Sequence, residues 1–217
     1  FLVHTVPGGP YGRAVLFALE EKGAAYALQA VAPGAMHSPA HLALHPFGRI
    51  PVLEHGGFRL YETQAILRYL DRVIPQPSLT PADPRAAARM DQLMNISDWY
   101  VFLGGIGNVI GFQRVVGPRV LGLPSDESAI AAALPKAQVT VDELARLLGD
   151  QPYFTGSALS LADILLASQL ELVSGTPEWR TLTATQANLT AWLARMVARP
   201  GMQATTWERV AARAQAA

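Results

Sequence analysis

Two short motifs combine residue types that suit the binding of a small peptide. The first is Arg49-Ile50-Pro51-Val52-Leu53, in which a proline opens a predicted strand. A strand tolerates proline at its first residue because no ladder hydrogen bond is needed there, so a purely structural role stays open. A cis Ile50–Pro51 peptide would instead turn the N–H and C=O of Ile50 outward, where an extended peptide could pair with them as an added strand. The motif therefore predicts a cis bond and a peptide-accepting edge.

The second motif is Glu62-Thr63, an acidic and a hydroxyl residue at the start of a predicted helix. The first turn of a helix has unpaired N–H groups and the positive end of the helix dipole. A ligand carboxylate can bind there to the N–H and hydroxyl of Thr63, while the Glu62 carboxylate binds an ammonium group. Together the two residues fit the free end of an α-amino acid. The alternative is that both only cap the helix, and the nearby Ile-Pro motif favours the ligand-binding interpretation.

The elements that must position these motifs follow an α/β order in the first 75 residues. Strand patterns and the Gly56-Gly57 hairpin turn alternate with helical periodicity, which gives β-α-β, then a short helix, then β-β-α. The predicted strands span 2–6, 26–31, 52–55 and 58–61, and the predicted helices span about 12–22, 39–44 and 62–74.

Residues 75–84 hold four prolines and cannot form a helix or a paired strand, so they predict a domain linker. Beyond them only helical spacing recurs, as in Leu134, Ala137, Val141, Leu144 and Leu148. Ser160 and Asp163 form a capping-box pattern before another apolar run, so we expect Asp163 to be a structural cap. The sequence thus predicts an α/β domain at 1–75, a linker at 76–84 and an all-α domain at 85–217.

Composition excludes several classes of function. With 17 basic and 17 acidic residues and no basic run, the chain lacks the charge pattern of a protein that binds nucleic acid or an anionic membrane. No run approaches the roughly 20 apolar residues of a membrane span, and the first residues lack a signal-peptide pattern. The chain has no cysteine, which excludes disulfides, thiolate metal sites and redox chemistry of a protein thiol. We expect a cytoplasmic protein whose partner is a small molecule or another copy of the chain, with no metal site.

From Pro46 to Leu70 the chain resembles the glutathione-site signature of cytosolic glutathione transferases, with Ile-Pro before the third strand and an acidic-hydroxyl pair at the third helix. The resemblance extends to residues 10–23, the proline-rich linker and the capping box at Ser160. Within the family, the chain resembles the bacterial members and those of the phi-, theta- and nu-like classes, and the resemblance does not fix the class. It implies a thioredoxin-like N-terminal domain plus an all-α C-terminal helical bundle, a homodimer, a role in detoxification, and glutathione as co-substrate.

The resemblance also implies roles for individual residues. Ile50, Pro51, Glu62 and Thr63 would bind glutathione, and Arg49 and His37 fall where members of the family hold its glycine carboxylate. His37 fits a solvated loop histidine equally well. An apolar electrophile would contact the aromatic residues after the linker, although a plain core stripe explains them about as well; they are Trp99, Tyr100 and Phe102.

One position departs from the family pattern. Where similar proteins carry a serine or cysteine that activates the thiol of glutathione, this chain has Gly9. The remaining candidates are the hydroxyls of Thr5 and Tyr11 and the backbone N–H of Gly9, and we expect weaker activity. The predicted function is transfer of the glutathione thiolate to an apolar electrophile. The alternative is a non-catalytic glutathione-binding or interaction protein on the same scaffold.

Overall fold

The computed structural model describes residues 1–32 and 34–216. They form two compact units. The sheet unit holds Phe1–Ser78 together with the C-terminal residues from Arg199, and the helical unit holds Leu79–Ala198. These units differ from the predicted domains, 1–75 and 85–217, because the C-terminal residues from Arg199 pack with the N-terminal ones. Pro33 and Ala217, which those domains include, lie outside the described residues.

The sheet unit is built on a mixed four-stranded sheet in the order β2-β1-β3-β4. The strands are β1 (Leu2–Thr5), β2 (Ala27–Ala30), β3 (Val52–His55) and β4 (Phe58–Tyr61). β1 runs parallel to β2 and antiparallel to β3, which pairs antiparallel with β4. Gly56 and Gly57 both have positive φ, as the hairpin turn requires. Val52 pairs with Tyr61, so the residues just before β3 face those just after β4. The thioredoxin-like fold predicted for this part of the chain is confirmed.

Helices α1 (Pro10–Glu21) and α3 (Thr63–Val73) pack against each other, and α1 also contacts β1. α1 starts at a proline in the first helical position, where the missing N–H has no intrahelical acceptor anyway. Its residues 14–19 are all buried, and α3 buries Ile66, Leu67 and Leu70. The short helix α2 (Pro39–Leu42) follows a 3-10 turn at Ala35–His37 and completes the connection to β3.

A buried cation joins the C-terminal ends of α1 and α3. The Lys22 ammonium group is fully buried and donates to the Asp71 carboxylate and to the carbonyl oxygens of Ile74 and Pro77. Three acceptors satisfy its three donor positions, which is what makes a buried ammonium tolerable. This network holds together the two helices that frame the candidate site.

The helical unit contains only helices among its described residues, as the sequence predicts. They are α4 (Pro84–Ile96), π-helical segments at Ser97–Phe102 and Ile106–Leu121, α5 (Glu127–Leu148), α6 (Leu161–Glu171), α7 (Pro177–Leu182) and α8 (Ala187–Val197). The break between the π-helical segments lies at Leu103–Gly105, where Gly105 has φ 121. Within the described part of the chain, no helix combines the length and apolarity needed to cross a membrane.

Asp163 is the polar centre of the helical unit. Its fully buried carboxylate accepts hydrogen bonds from the N–H groups of Ser160 and Phe154, from the Ser160 hydroxyl and from the Trp192 indole. Burial raises the pKa of Asp163, and these hydrogen bonds oppose that shift. The predicted capping box of α6 is present, and Asp163 therefore has the structural role expected from the sequence.

The C-terminal helices α9 (Pro200–Ala204) and α10 (Trp207–Ala216) return to the sheet unit, where α9 packs on α1 and α10 on β2. Arg199 forms an ion pair with Glu21 at 2.7 Å. These helices are part of the support of α1, which the predicted domain boundary does not reflect.

We predict that Lys22→Met lowers the free energy of unfolding of the sheet unit by about 3–5 kcal/mol, because it leaves a buried carboxylate without its cation. The only other lysine, Lys136, is exposed on α5 and is the matched control. Lys136→Met should change stability by less than about 0.5 kcal/mol. Urea unfolding followed by circular dichroism measures both, and equal effects of the two substitutions would contradict the assigned role of Lys22.

Candidate functional site

The edge of the sheet before β3 leaves a backbone donor and acceptor unpaired. The Ile50–Pro51 peptide is cis, which confirms the sequence-based prediction. Neither the N–H nor the C=O of Ile50 forms a hydrogen bond with any residue that the structure describes. Ile50 as a whole is half-buried. An extended peptide can pair with this edge in the manner of β-augmentation.

Directly across from Ile50 and Pro51, Glu62 has an unusual backbone. Its φ of 68° is the only positive value at a non-glycine residue in the described chain. A backbone of this kind costs on the order of 1–3 kcal/mol and often marks a functional position. The Glu62 side chain is exposed and makes no capping hydrogen bond to α3. The interpretation of Glu62 as a simple helix cap is therefore wrong, and its carboxylate is available to a ligand.

Thr63 is the first residue of α3 and is buried. The N–H of Ile66 donates to the Glu62 carbonyl at 3.0 Å and closes the first turn. The N–H and hydroxyl of Thr63 have no hydrogen-bond partner among the described residues. Both donors of Thr63 thus lie at the positive end of α3, which suits a carboxylate.

Arg49 and His37 form a cationic surface on the other side of Ile50. Both side chains are exposed, and the Arg49 guanidinium has no ion-pair partner within the described residues. The His37 ring lies over Gly48, where a Cβ atom would come within 3.0 Å of it, and Gly48 has φ 62. Glycine is required there both by the backbone and by the close approach of the ring.

Two buried histidines support this surface, and sequence reasoning missed both. The Nε2 of His41 donates to the Arg49 carbonyl at 2.8 Å, which fixes the backbone next to Ile50. The His45 ring packs on Tyr61 with 4.6 Å between centroids, and its pKa is lowered by burial. Nothing in the spacing of either residue distinguishes it from a solvated loop histidine, since each is recognised only by what it contacts.

The start of α1 lies at the position where the sequence departs from the expected pattern. Gly9 is the N-cap with φ −70 and ψ 116, values that any residue can adopt. Its N–H donates to the Val6 carbonyl at 3.2 Å, so the proposal that this N–H could bind a thiolate is wrong. Thr5 is also excluded, because it is 1% exposed and its hydroxyl lies against Gly12 under α1. Of the three candidates, only Tyr11, half-buried in the first turn of α1, remains.

The aromatic residues after the linker are not a core stripe. Trp99 and Tyr100 are 64% and 60% exposed, while Phe102 is half-buried in the same π-helical segment. Two exposed aromatic side chains, consecutive in the chain, offer apolar surface to a partner or a ligand. No group of three or more His, Cys, Asp or Glu side chains within the described residues could hold a metal ion.

Comparison with known proteins identifies the family of this chain. Residues 8–73 match the family model for the glutathione S-transferase N-terminal domain, and residues 108–200 match that for the C-terminal domain. Glutathione S-transferase F14 of Arabidopsis thaliana is 31% identical over 86% of this chain and 75% of its own length. The chain belongs to the glutathione S-transferase family.

Solved structures of the family agree with this assignment. Glutathione S-transferase III in its apo form superposes with a TM-score of 0.82 at 30% identity, over 94% of each chain. A theta class enzyme from the citrus canker pathogen Xanthomonas axonopodis pv. citri, with glutathione bound, superposes with a TM-score of 0.80 at 28% identity, over 94% of this chain and 96% of that chain. The N-terminal family model spans Gly9, Ile50 and Glu62, whereas neither model covers Trp99 or α10.

We predict that Glu62→Gly raises the free energy of unfolding by about 1 kcal/mol relative to Glu62→Gln, because glycine adopts positive φ without steric cost. Both substitutions remove the carboxylate, so only the backbone term separates them. Thermal and urea unfolding measure the difference. A Glu62→Gly protein no more stable than Glu62→Gln would show that the backbone at this residue is not strained.

Proposed function

We propose that the protein is a glutathione transferase that conjugates the thiolate of glutathione to an apolar electrophile. The unpaired backbone of Ile50, flanked by Glu62 and Arg49, carries this proposal. Glutathione has an extended peptide backbone, an ammonium and a carboxylate at its γ-glutamyl end, and a carboxylate at its glycine end. The site offers a complementary group for each of these features, and the family membership supports the same ligand.

The antiparallel register explains how one short ligand can reach both sides of the site. Val52 pairs with Tyr61, so Ile50 lies just before β3 and Glu62 just after β4, at the same end of the hairpin. Adjacent strands are about 4.8 Å apart, well within the length of a tripeptide. In the proposed complex, the cysteine backbone of glutathione pairs with Ile50, its γ-glutamyl end binds Glu62 and Thr63, and its glycine carboxylate binds Arg49 and His37.

The proposed reaction needs little covalent chemistry from the protein. The thiol loses its proton to solvent, the thiolate attacks an electrophilic carbon, a C–S bond forms, and the leaving group or opened ring oxygen takes the electron pair. The protein contributes by holding the thiolate at the start of α1, where no acidic side chain competes for the positive end of the helix. The N–H of Gly12 has no partner among the described residues and contributes to this field.

Magnitudes indicate that this activation is incomplete. Lowering a thiol pKa from about 8.5 to about 6.5 requires ~2.7 kcal/mol, and a helix end typically gives about 0.3–1 kcal/mol. A hydroxyl donor would add about 1.5–3 kcal/mol, and Gly9 supplies none. We therefore propose slow conjugation, with the Tyr11 hydroxyl as the remaining side-chain candidate for the missing hydrogen bond.

Three further parts of the proposal follow from the family rather than from the site. The electrophile contacts Trp99, Tyr100 and Phe102, of which Trp99 and Tyr100 expose apolar surface. The protein acts in the cytoplasm, where the redox potential keeps glutathione reduced. Its role is detoxification. It forms a homodimer, which sedimentation equilibrium tests directly.

A second candidate function is a glutathione-binding protein without catalysis. The absence of a hydroxyl at Gly9 and the burial of Thr5 favour it. Calorimetry with glutathione, combined with assays on aryl halides, epoxides and hydroperoxides, separates the two functions. Binding with no turnover on any of these classes would support the second, and turnover on one of them would support the transferase.

We predict that Glu62→Gln and Thr63→Val each weaken glutathione binding about 10- to 100-fold, because each leaves a charged group of the ligand without its partner. Both replacements keep the shape of the side chain. Arg72→Gln, on an exposed residue of the last turn of α3, is the control and should leave the dissociation constant unchanged. Unchanged affinity in both site variants, together with reduced stability, would show that these residues only support the helix.

We predict that Gly9→Ser lowers the pKa of bound glutathione by about 1–2 units and speeds conjugation, through one added charge-assisted hydrogen bond. The backbone of Gly9 accepts a side chain, although its Cβ would lie 3.0 Å from Val6 Cγ2 and 3.1 Å from Ile50 Cδ1, so these groups must shift slightly. Gly9→Ala adds the same Cβ without a hydroxyl and is the matched control.

Thiolate absorbance against pH, measured with glutathione bound, tests this prediction. In the natural protein, a midpoint at or below about 7 that Gly9→Ser leaves unchanged and Tyr11→Phe raises would contradict it. That result would assign the activating hydroxyl to Tyr11. Thr5→Val should have no effect, because Thr5 lies beneath α1.

A further inference from the structure

The C-terminal segment of the chain packs along the outer side of α1. Arg199 pairs with Glu21 through two hydrogen bonds of 2.9 and 2.7 Å. Gly201 lies so close to Phe17 that a Cβ atom there would be 2.8 Å from its ring. The Arg13 guanidinium donates to the Met202 carbonyl at 3.2 Å. These contacts fix α9 along the whole length of α1.

A second set of contacts anchors the far end of α10. The Arg213 guanidinium lies 4.5 Å from the centre of the Tyr26 ring and donates to the Tyr26 hydroxyl. It also reaches Glu20 at 3.2 Å, and Tyr26 donates to Glu20 at 2.6 Å. The pKa of Tyr26 is raised by burial and by the neighbouring Glu20 carboxylate, so the phenol stays protonated as a donor. α10 is therefore held at its C-terminal end as well.

Between these anchors, Trp207 lies directly on the loop before α1. It is the first residue of α10, and the preceding Thr206 caps that helix by accepting from the N–H of Arg209. A Cβ atom at Gly8 would come within 2.1–2.5 Å of three atoms of the Trp207 indole. Gly8 also has φ 79, so both its backbone and the indole require glycine.

The two glycines of the loop under Trp207 have different neighbours. The Gly9 N–H donates to the Val6 carbonyl at 3.2 Å, and a Cβ atom at Gly9 would lie close to Val6 and Ile50. Gly8 and Gly9 carry no side chains that could pack. At Gly8, by contrast, the three atoms nearest to a Cβ position all belong to the Trp207 indole, so the indole is the group that covers this side of the loop.

We propose that Trp207 is a positioning residue, which places the glutathione sulfur by holding the Gly8–Gly9 peptide at the start of α1; this inference rests on the proposed function. The thiolate has no side-chain hydroxyl at Gly9, and the Gly9 N–H is bonded to Val6, so the positive end of α1, including the N–H of Gly12, supplies its stabilisation. Such electrostatic stabilisation depends on preorganised distances. A shift of the loop by an ångström would move the start of α1 and weaken this stabilisation while leaving Glu62 and Thr63 in place.

A double-substitution experiment tests this role with the full-length protein and glutathione. Trp207→Ala should raise the pKa of the bound thiol by about half a unit or more and lower kcat/KM about tenfold, while the dissociation constant changes less than about threefold. Trp207→Phe keeps a smaller ring and should raise the pKa of the bound thiol by a smaller amount. This variant still tests the inference if Trp207→Ala does not fold.

Val210→Ala is the matched control, because Val210 is buried on the same helix and belongs to neither the loop nor the ligand site. It should lower stability but leave the thiol pKa unchanged. Equal thiol pKa values in the natural protein and both Trp207 variants would overturn the inference, as would a Val210→Ala shift as large as that of Trp207→Ala.

Gly8→Ala, made in the natural protein and in Trp207→Ala, tests whether the two residues are coupled. It should lower kcat/KM strongly in the natural protein and by a smaller factor when Trp207 is already alanine, because the clash with the indole is then removed and only the backbone cost remains. Equal factors in the two backgrounds would show that the two residues are not coupled. If the natural protein does not bind glutathione, the proposed function fails and this inference fails with it. Binding that persists with unchanged thiol pKa overturns this inference alone.

Discussion

The unpaired backbone of Ile50 is the constraint on which the candidate site depends. An N–H and a C=O that no described residue satisfies need water or a ligand, and an extended peptide is the partner that satisfies both. The neighbouring structure fixes these groups in place, since His41 holds the carbonyl of Arg49 and β3 pairs on both sides from Val52 onward. This edge would fix the position of a bound peptide, and so it determines which parts of a ligand reach Glu62 and Arg49.

The proposed function separates ligand binding from thiol activation. The proposed binding groups lie next to β3 and β4 and at the start of α3, supported by the Lys22–Asp71 network and by the buried histidines. The sulfur end depends on α1 and on a loop of two glycines under Trp207. In this proposal, a substitution at Gly9 changes the activation of the thiol without removing the groups that bind the rest of glutathione.

The sequence predicted the parts of the fold and site that are encoded locally. Gly56-Gly57 set the hairpin and the bounds of β3 and β4, Pro51 marked the binding edge, and Ser160 with Asp163 marked the start of α6. Features set by long-range packing could not be predicted. The direction of Thr5 depends on α1 lying above it, the role of His41 depends on a carbonyl eight residues away, and Trp207 meets Gly8 from the opposite end of the chain. Spacing also could not indicate that Trp99 and Tyr100 are exposed rather than buried.

The backbone amide of Ile50 offers the most direct measurement of the central claim. Residue-resolved hydrogen exchange with and without glutathione reports whether the ligand pairs with that N–H. We expect the amides of Ile50 and Thr63 to become protected when glutathione binds, while amides in α5, far along the chain, keep their rates. Binding of glutathione without added protection at Ile50 would contradict the account, because the ligand would then lie somewhere other than on this edge of the sheet.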